Sequence, residues 1–377
     1  MAKRKKRRRN TALNLLFTLL LIAVIGAGLV FAVKTLMQHR ANNPAAESES
    51  DTSAVTTAAE TTVVTTTTTV ETEPPYPAAP TRSTETITLG DTDKILARNA
   101  VLLKITPDGN EMLAEREADQ QIYPASMTKI MTLVTYLKLC GETAEDDVLI
   151  MDADVIAAQK AQMAYTAGFE PGEACSVKDL LYAMMLPSGA DAAVMLATHA
   201  AGSEAAFAEQ MNALAAEMGL QHTHFVNCTG LHEDDHLSSV NDIARILLYA
   251  LEDPLARQIM SAYRHTTTAS PQHEEGIELV STTLSRLVGN ELESLSKPLH
   301  LIGGKTGYTN PAGQCLATWA ENAEGEEFVC VIAGSTALKP LDAMGDTLTL
   351  YQLTCEPLDA ISRITLNEDD LPDYVHN

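Results

Sequence analysis

The sequence predicts an α/β fold of the α+β type, in which an antiparallel sheet is flanked by helices and has a helical lobe beside it. Alternating apolar residues at 100–105 and 112–115, separated by the turn formers Pro107, Asp108 and Gly109, predict a β-hairpin. Helical patterns fill the middle of the chain, and strand patterns return only after residue 300. Because the first and last strands of such an order complete one sheet, we expect them to pair.

Helices are predicted where apolar residues recur with helical spacing and a polar residue marks the start. Ser176 with Asp179, and Ser239 with Asp242, each form an N-terminal capping pattern. The predicted helices cover residues 126–139, 176–186, 191–200, 204–218 and 239–251. Late strands are predicted at 304–308, 314–320 and 327–334, and a closing helix near 341–352.

The amino-terminal segment has the pattern of a membrane anchor. A basic tail of residues 1–10 contains Lys and Arg at every position from Lys3 to Arg9. Residues 11–33 are uncharged, and a helix of this length measures about 34 Å, enough for a hydrocarbon core of about 30 Å. The basic tail should remain cytoplasmic, which places the body outside. A cleaved signal peptide is the alternative, but no small-x-small cleavage site follows closely.

The composition of the remaining residues separates a linker, a globular body and a C-terminal tail. Residues 34–90 include a run of threonines at 65–69 and a proline-rich stretch at 73–77, so we predict a disordered linker there. The globular body is predicted at residues 91–355, followed by a C-terminal tail at 356–377.

The charge distribution excludes one class of partner. Nine of the 26 Lys and Arg residues lie within residues 1–40, which hold no acid, so 17 basic residues face 50 acidic ones in the rest of the chain. Such an acidic body argues against nucleic-acid binding. The six cysteines form no C-x-x-C pair, and we expect them to be buried as small apolar residues, although Cys315 and Cys330 fall on strands expected to be neighbours.

Two short motifs predict nucleophilic catalysis. Ser126 and Lys129 form S-x-x-K, and Lys305, Thr306 and Gly307 form K-T-G far downstream. This combination is the signature of serine acyl enzymes of the penicillin-binding class. On a helix, residues three apart share a face, so the Lys129 amine can reach the Ser126 hydroxyl. The amine acts as a base only if burial or a second cation lowers its pKa, and Lys305 is the candidate second cation.

The body resembles the D-alanyl-D-alanine carboxypeptidases of the low-molecular-mass penicillin-binding proteins. The resemblance spans about residues 95–350 and is carried by residues 122–132, 170–173, 179–189, 223–227, 230–232 and 304–310. It implies a β-lactamase/transpeptidase-like fold and removal of the terminal D-alanine from peptidoglycan stem peptides ending in D-Ala-D-Ala. It also implies inhibition by β-lactams and no cofactor. The amino-terminal anchor and basic tail predict a place in the bacterial cell membrane with an extracytoplasmic catalytic domain.

The resemblance also implies residue roles. Ser126 would form the acyl-enzyme, Lys129 would accept its proton, and Ser188 would relay a proton to the leaving nitrogen. Lys305 and Thr306, followed by Gly307, would hold the substrate carboxylate. The N–H groups of Ser126 and Tyr308 would form an oxyanion hole.

One position departs from the family pattern. The middle motif of the family is S-x-N, whereas here Ser188, Gly189 and Ala190 stand in its place. Alanine offers no amide to orient the substrate or Lys129, and one lost polar contact costs about 1–3 kcal/mol. A catalytically weak penicillin-binding or regulatory module is therefore one alternative. A class A-like β-lactamase is another, but it needs a deacylating glutamate that we cannot assign from the sequence.

Residues 232–236 match the zinc pattern H-E-x-x-H. That pattern binds metal only on a helix, where both imidazoles share a face. Asn227 and Gly230 precede it and Ser239 follows, so we expect a loop leading into a capped helix and no metal site.

Overall fold

The computed structural model describes residues 76–90, 95–141, 147–288, 291–293, 299–335, 342–354 and 363–365. The predicted basic tail and the anchor at residues 11–33 lie outside these residues, as does Cys355. Within the described part of the chain, no helix is both long and apolar enough to span a bilayer.

Twelve strands are described. They are β1 (Thr81–Thr88), β2 (Asn99–Lys104), β3 (Glu111–Arg116), β4 (Val148–Ile150), β5 (Ala174–Ser176), β6 (Arg264–Thr266), β7 (Glu278–Val280), β8 (Glu291–Glu293), β9 (Leu299–Thr309), β10 (Gly313–Asn322), β11 (Glu327–Ser335) and β12 (Arg363–Thr365). The described α-helices are α1 (Thr128–Cys140), α2 (Ala153–Ala161), α3 (Val177–Met185), α4 (Ala190–Ala201), α5 (Glu204–Glu217), α6 (Val240–Glu252), α7 (Pro254–Ser261) and α8 (Asp342–Tyr351).

The central sheet has six strands in the order β1-β3-β2-β11-β10-β9. The early hairpin β2–β3 and the late strands β9 to β11 are antiparallel, as the sequence predicted. Strand β2 pairs with β11, with Leu102 opposite Cys330. The expected pairing of the first predicted strand with the last is therefore confirmed. Three further pairs, β4–β5, β6–β7 and β8–β12, lie outside this sheet.

Strand β1 requires a correction. It lies within residues 34–90, where we predicted a disordered linker, yet it pairs parallel with β3. Just before it, the Tyr76 ring packs edge-on against Tyr249, with 5.3 Å between centroids. Four threonines and Ile87 give this segment the β-branched content of a strand, which the low-complexity character of the preceding residues concealed.

The centre of the sheet is buried on both faces, and its side chains alternate accordingly. In β2, Val101 and Leu103 belong to the core beneath the helical lobe, whereas Leu102 belongs to a second core on the opposite face. Helix α6 packs against β11 on the first side, and α8 packs against β11 and β10 on the second. The sheet is thus enclosed between two helical layers.

Local capping explains several helix starts. The Ser176 and Ser239 hydroxyls accept hydrogen bonds from the backbone N–H of Asp179 and Asp242, both at 3.0 Å, as predicted. Helices α2 and α7 were not predicted. Their signals were Asp152 before α2, and Asp253 before α7 with a proline at its first position.

The cysteines within the described ranges are unpaired thiols. Cys175, Cys228, Cys315 and Cys330 are buried, whereas Cys140 is partly exposed. Cys315 and Cys330 lie on the neighbouring strands β10 and β11, where they pack as small apolar side chains in different cores.

Candidate active site

Ser126 lies in a single 3-10 turn, Ala125–Met127, that leads directly into α1. Ala125, immediately before it, has a φ of 47°, a left-handed conformation that alanine rarely adopts. Strained backbone next to a reactive side chain is typical of functional sites. The turn presents the Ser126 side chain to a cleft between the sheet and the helical lobe.

Lys129 lies one turn further along, and its Nζ donates to Ser126 Oγ at 3.1 Å. The same Nζ donates to the Thr229 carbonyl oxygen at 2.7 Å. Lys129 is completely buried, and this burial lowers the pKa of its amine to about 8. Ser126 and Lys129 are therefore in hydrogen-bond contact, with the amine tuned towards the neutral form.

The cause of that pKa differs in part from our expectation. We proposed burial or the positive charge of Lys305, and burial is the dominant cause for Lys129. Nearby positive charges instead affect Lys305, whose pKa is lowered well below its usual value by burial, by Lys129 and by Arg286.

The K-T-G residues lie on strand β9, and two of the three face the cleft. Thr306, Gly307 and Tyr308 line the cleft, with the Tyr308 side chain 46% exposed. Lys305 is fully buried behind them, and its Nζ donates to the Thr306 carbonyl at 3.0 Å. The Thr306 hydroxyl is fixed by a 2.8 Å hydrogen bond to the Thr282 hydroxyl.

Gly307 allows β9 to approach the turn that carries Ser126. A Cβ at position 307 would lie 3.1 Å from the Pro124 oxygen and 3.2 Å from the Ser126 nitrogen. A side chain there would push the strand away from the turn. The glycine of K-T-G therefore sets the distance between the Ser126 turn and strand β9.

Ser188 also lines the cleft, opposite β9, with a φ of 70°. Its neighbour Ala190 is buried, and the Ala190 N–H donates to the Tyr165 carbonyl at 2.8 Å. Asp191 is buried as well and accepts the Ala167 N–H at 3.0 Å, while burial raises the pKa of its carboxyl group. Position 190 thus presents only a methyl group to the cleft.

The cleft has a volume of about 490 Å³ and includes residues that the sequence analysis missed. Arg286, in the 3-10 turn Leu284–Arg286, lines this cleft, as does Thr306. Tyr165 lines the same cleft. Neither residue belongs to a short motif, so only the tertiary structure brings them to the site.

Residues 232–236 form a loop with a turn, and α6 starts after them with Ser239 as its cap, as expected. The buried His236 accepts the Val226 N–H on Nδ1 at 3.0 Å, which places its proton on Nε2, 2.7 Å from the Thr128 hydroxyl. Burial lowers the pKa of this imidazole to about 4. His236 is therefore a neutral side chain with both ring nitrogens in hydrogen bonds, and the pattern does not form a helical metal-binding face.

Comparisons with known proteins agree with this geometry. A family model for D-alanyl-D-alanine carboxypeptidases matches residues 86–336. The carboxypeptidase DacF of Bacillus subtilis is 32% identical over 64% of this chain and 58% of its own length. DacA of Escherichia coli is 30% identical over 61% of this chain and 54% of its own length. The chain thus spans somewhat more than half of the length of these curated relatives.

Solved structures show the same fold. A mutant of the Streptomyces K15 DD-transpeptidase superposes with a TM-score of 0.60 at 24% identity, covering 69% of this chain and 98% of that one. A second mutant of the same enzyme has a TM-score of 0.59 at 25% identity. The family match covers most of the chain and includes all three motif positions of the cleft, so the chain belongs to the D-alanyl-D-alanine carboxypeptidase family.

Proposed function

We propose that the protein is a serine-type D-Ala-D-Ala carboxypeptidase, which removes the terminal D-alanine from peptidoglycan stem peptides in cell-wall synthesis. The observation that carries this proposal is the contact between Ser126 Oγ and the buried Lys129 amine at 3.1 Å. A serine becomes a nucleophile when an adjacent base accepts its proton, and a buried lysine is such a base.

In the proposed reaction, the neutral Lys129 amine takes the Ser126 hydroxyl proton as Oγ attacks the carbonyl of the penultimate D-alanine. The peptide C–N bond then breaks, and the leaving nitrogen gains the proton by way of the Ser188 hydroxyl. Water hydrolyses the ester on Ser126 and releases the shortened peptide. Backbone N–H groups of Ser126 and Tyr308 would stabilise the oxyanion, an effect worth about 3–4 kcal/mol per donor in related acyl transfer.

Recognition of the substrate carboxylate is assigned to the K-T-G side of the cleft. Thr306 offers a hydroxyl held by Thr282, and Arg286 adds a permanent cation on the same wall. A guanidinium binds a carboxylate through two parallel hydrogen bonds. Lys305 would act from behind the strand, through its hydrogen bond to the Thr306 carbonyl, rather than by direct exposure.

The two alternatives are less well supported. Among the described residues that line the cleft, Glu278 is the one carboxylate, and it is an exposed residue of strand β7 in an ion pair with Arg264 at 3.2 Å. That placement does not favour the deacylating glutamate of a class A-like β-lactamase. A purely regulatory module is not favoured because the nucleophile and base are in contact.

The test is covalent labelling of the full-length chain with a fluorescent penicillin, followed by intact-mass analysis and release of D-alanine from a D-Ala-D-Ala peptide. We expect one label per chain, loss of label in Ser126→Ala, and peptide turnover. Ser203→Ala, which removes an exposed helix cap, is the matched control and should retain the label. Label retained in Ser126→Ala would refute the assignment.

We also propose that residues 11–33 anchor the protein in the bacterial cell membrane with the catalytic body outside. The proposal is supported by the uncharged length of this segment and by the basic residues before it. Amino-terminal sequencing of the membrane fraction tests it. A mature start beyond about residue 40, together with secreted protein, would show that the segment is cleaved.

A further inference from the structure

The base of this site is held by a backbone carbonyl. Of the two described hydrogen bonds from Lys129 Nζ, the bond to Thr229 O is the shorter, at 2.7 Å against 3.1 Å to Ser126 Oγ. Thr229 lies in a segment without regular secondary structure, residues 227–231, which we call the carbonyl loop. The position of the amine therefore depends on what holds this loop.

One side chain organises the carbonyl loop. Asn227 Oδ1 accepts hydrogen bonds from the Thr229 N–H at 3.1 Å, the Thr229 hydroxyl at 3.0 Å and the Gly230 N–H at 2.8 Å. Its Nδ2 donates to the Leu231 carbonyl at 3.0 Å. An asparagine amide offers one carbonyl acceptor and two N–H donors, so it can serve both kinds of backbone group at once.

The loop also contacts the turn that carries the nucleophile. Gly230 has a φ of 80°, and a Cβ there would lie 1.9 Å from the Ala125 carbonyl oxygen. On its other side, the Cys228 carbonyl accepts the Thr132 hydroxyl from α1 at 2.7 Å. The carbonyl loop therefore connects the Ser126 turn with the helix that carries Lys129.

Position 190 provides no amide for this purpose, because alanine stands where the family motif has asparagine. We propose that Asn227 is the positioning residue that aligns Lys129 with Ser126, by fixing the Thr229 carbonyl. This inference rests on the proposed function, since it assigns the geometry of that same nucleophile and base.

Several charged or titratable groups surround Lys129. Cys228, Asp191 and Glu204 favour its protonated form, whereas burial disfavours it, and Lys305 lies close enough for the two amines to affect each other. Asn227 is neutral and orients the amine without adding charge to this set. A carboxylate at position 227 would keep the acceptor but would favour protonated Lys129.

The experiment compares Asn227→Ala and Asn227→Asp in the full-length chain. The rate of Ser126 acylation by a fluorescent penicillin is measured from pH 6 to 9.5. Asn227→Ala should acylate about 100-fold more slowly, as expected for a reacting group displaced by about 1 Å. Asn227→Asp should keep most of the maximal rate but reach it at higher pH.

The matched control is Asn212→Ala. Asn212 also holds a backbone segment, exchanging two hydrogen bonds of 2.8 Å with Phe225, but it does not touch the carbonyl loop. It should lower the melting temperature and leave the pH profile of acylation unchanged. The proposal is overturned if Asn227→Ala acylates at the wild-type rate, or if the pH profile of Asn227→Asp matches that of the wild type.

A second readout separates this inference from the proposed function. If the wild-type chain is not acylated at all, the proposed function fails, and the role of Asn227 is decided by the pKa of Lys129, measured by NMR titration of protein that carries ¹³C-labelled lysine. The titration should show that Asn227→Asp raises the pKa of Lys129 and Asn212→Ala does not. An unchanged Lys129 pKa in Asn227→Asp would reject the positioning role.

Discussion

The substitution Lys129→Arg tests the proposed base most directly. Arginine keeps the positive charge and much of the length, but its guanidinium is always protonated and cannot accept the Ser126 proton. The loss of general-base catalysis should lower the acylation rate by about 100-fold to 10,000-fold. Acylation should therefore fail even though the charge at position 129 is preserved.

The fraction of neutral Lys129 in the wild-type chain follows from the burial of its amine. Burial lowers the pKa from 10.5 to about 8, which makes removal of the proton easier by about 3 kcal/mol. At pH 7 an amine with a pKa of about 8 is neutral in about one molecule in ten, whereas a pKa of 10.5 leaves about one in 3,000 neutral. The neutral form is the reactive one, so the acylation rate should rise as pH increases and level off above about pH 8.

The assay is the second-order rate of labelling by a fluorescent penicillin from pH 5.5 to 9.5, with intact mass to count the labels per chain and peptide mass spectrometry to locate them. Lys138→Arg is the matched control, because Lys138 lies on the same helix but is exposed and pairs with Glu217. It should retain the rate and pH profile of the wild-type chain. Near-normal acylation by Lys129→Arg, or a wild-type rate independent of pH between 6 and 8, would refute the reasoning.

Three further predictions concern the cleft and the loop at residues 232–236. Gly307→Ala should slow acylation by about tenfold, because the added Cβ forces β9 away from the Ser126 turn. Gly345→Ala, which has open space around its Cβ, is the control and should leave the rate unchanged. Equal acylation rates in the two variants would contradict this prediction. Ala190→Asn should raise kcat/KM for a D-Ala-D-Ala peptide or leave it unchanged, and a large fall would show that the cleft has been rebuilt around alanine. EDTA should leave activity intact, and His236→Ala should reduce only the melting temperature. Stoichiometric metal in the purified protein, with activity lost on chelation, would reverse our interpretation of residues 232–236.

Much of the fold could be predicted because its signals are local. The hairpin β2–β3 follows from alternation around a turn, and Ser176 and Ser239 cap their helices through residues three positions away. The contact between Ser126 and Lys129 is equally local, since both lie within one turn of the chain. Interactions between near neighbours depend little on the rest of the molecule.

Other features depend on residues that are distant in sequence. Strand β1 is defined by its pairing with β3, and its own polar, threonine-rich sequence resembles the linker that precedes it. Arg286 reaches the cleft because its turn lies beside strand β9, and no motif marks it. Contacts between segments that are distant in the chain produce only a weak pattern in the sequence.

The sequence by itself determined the type of chemistry, because a serine and a lysine three residues apart, with a later K-T-G, place a nucleophile beside a base. Only the tertiary structure decided how that base is tuned and held. The lowered pKa of Lys129 comes from its burial, and its amine is held by the Thr229 carbonyl, 100 residues downstream. Burial and backbone contacts of this kind exist only once distant segments have packed together, because they depend on the atoms around a group rather than on its neighbours in the chain.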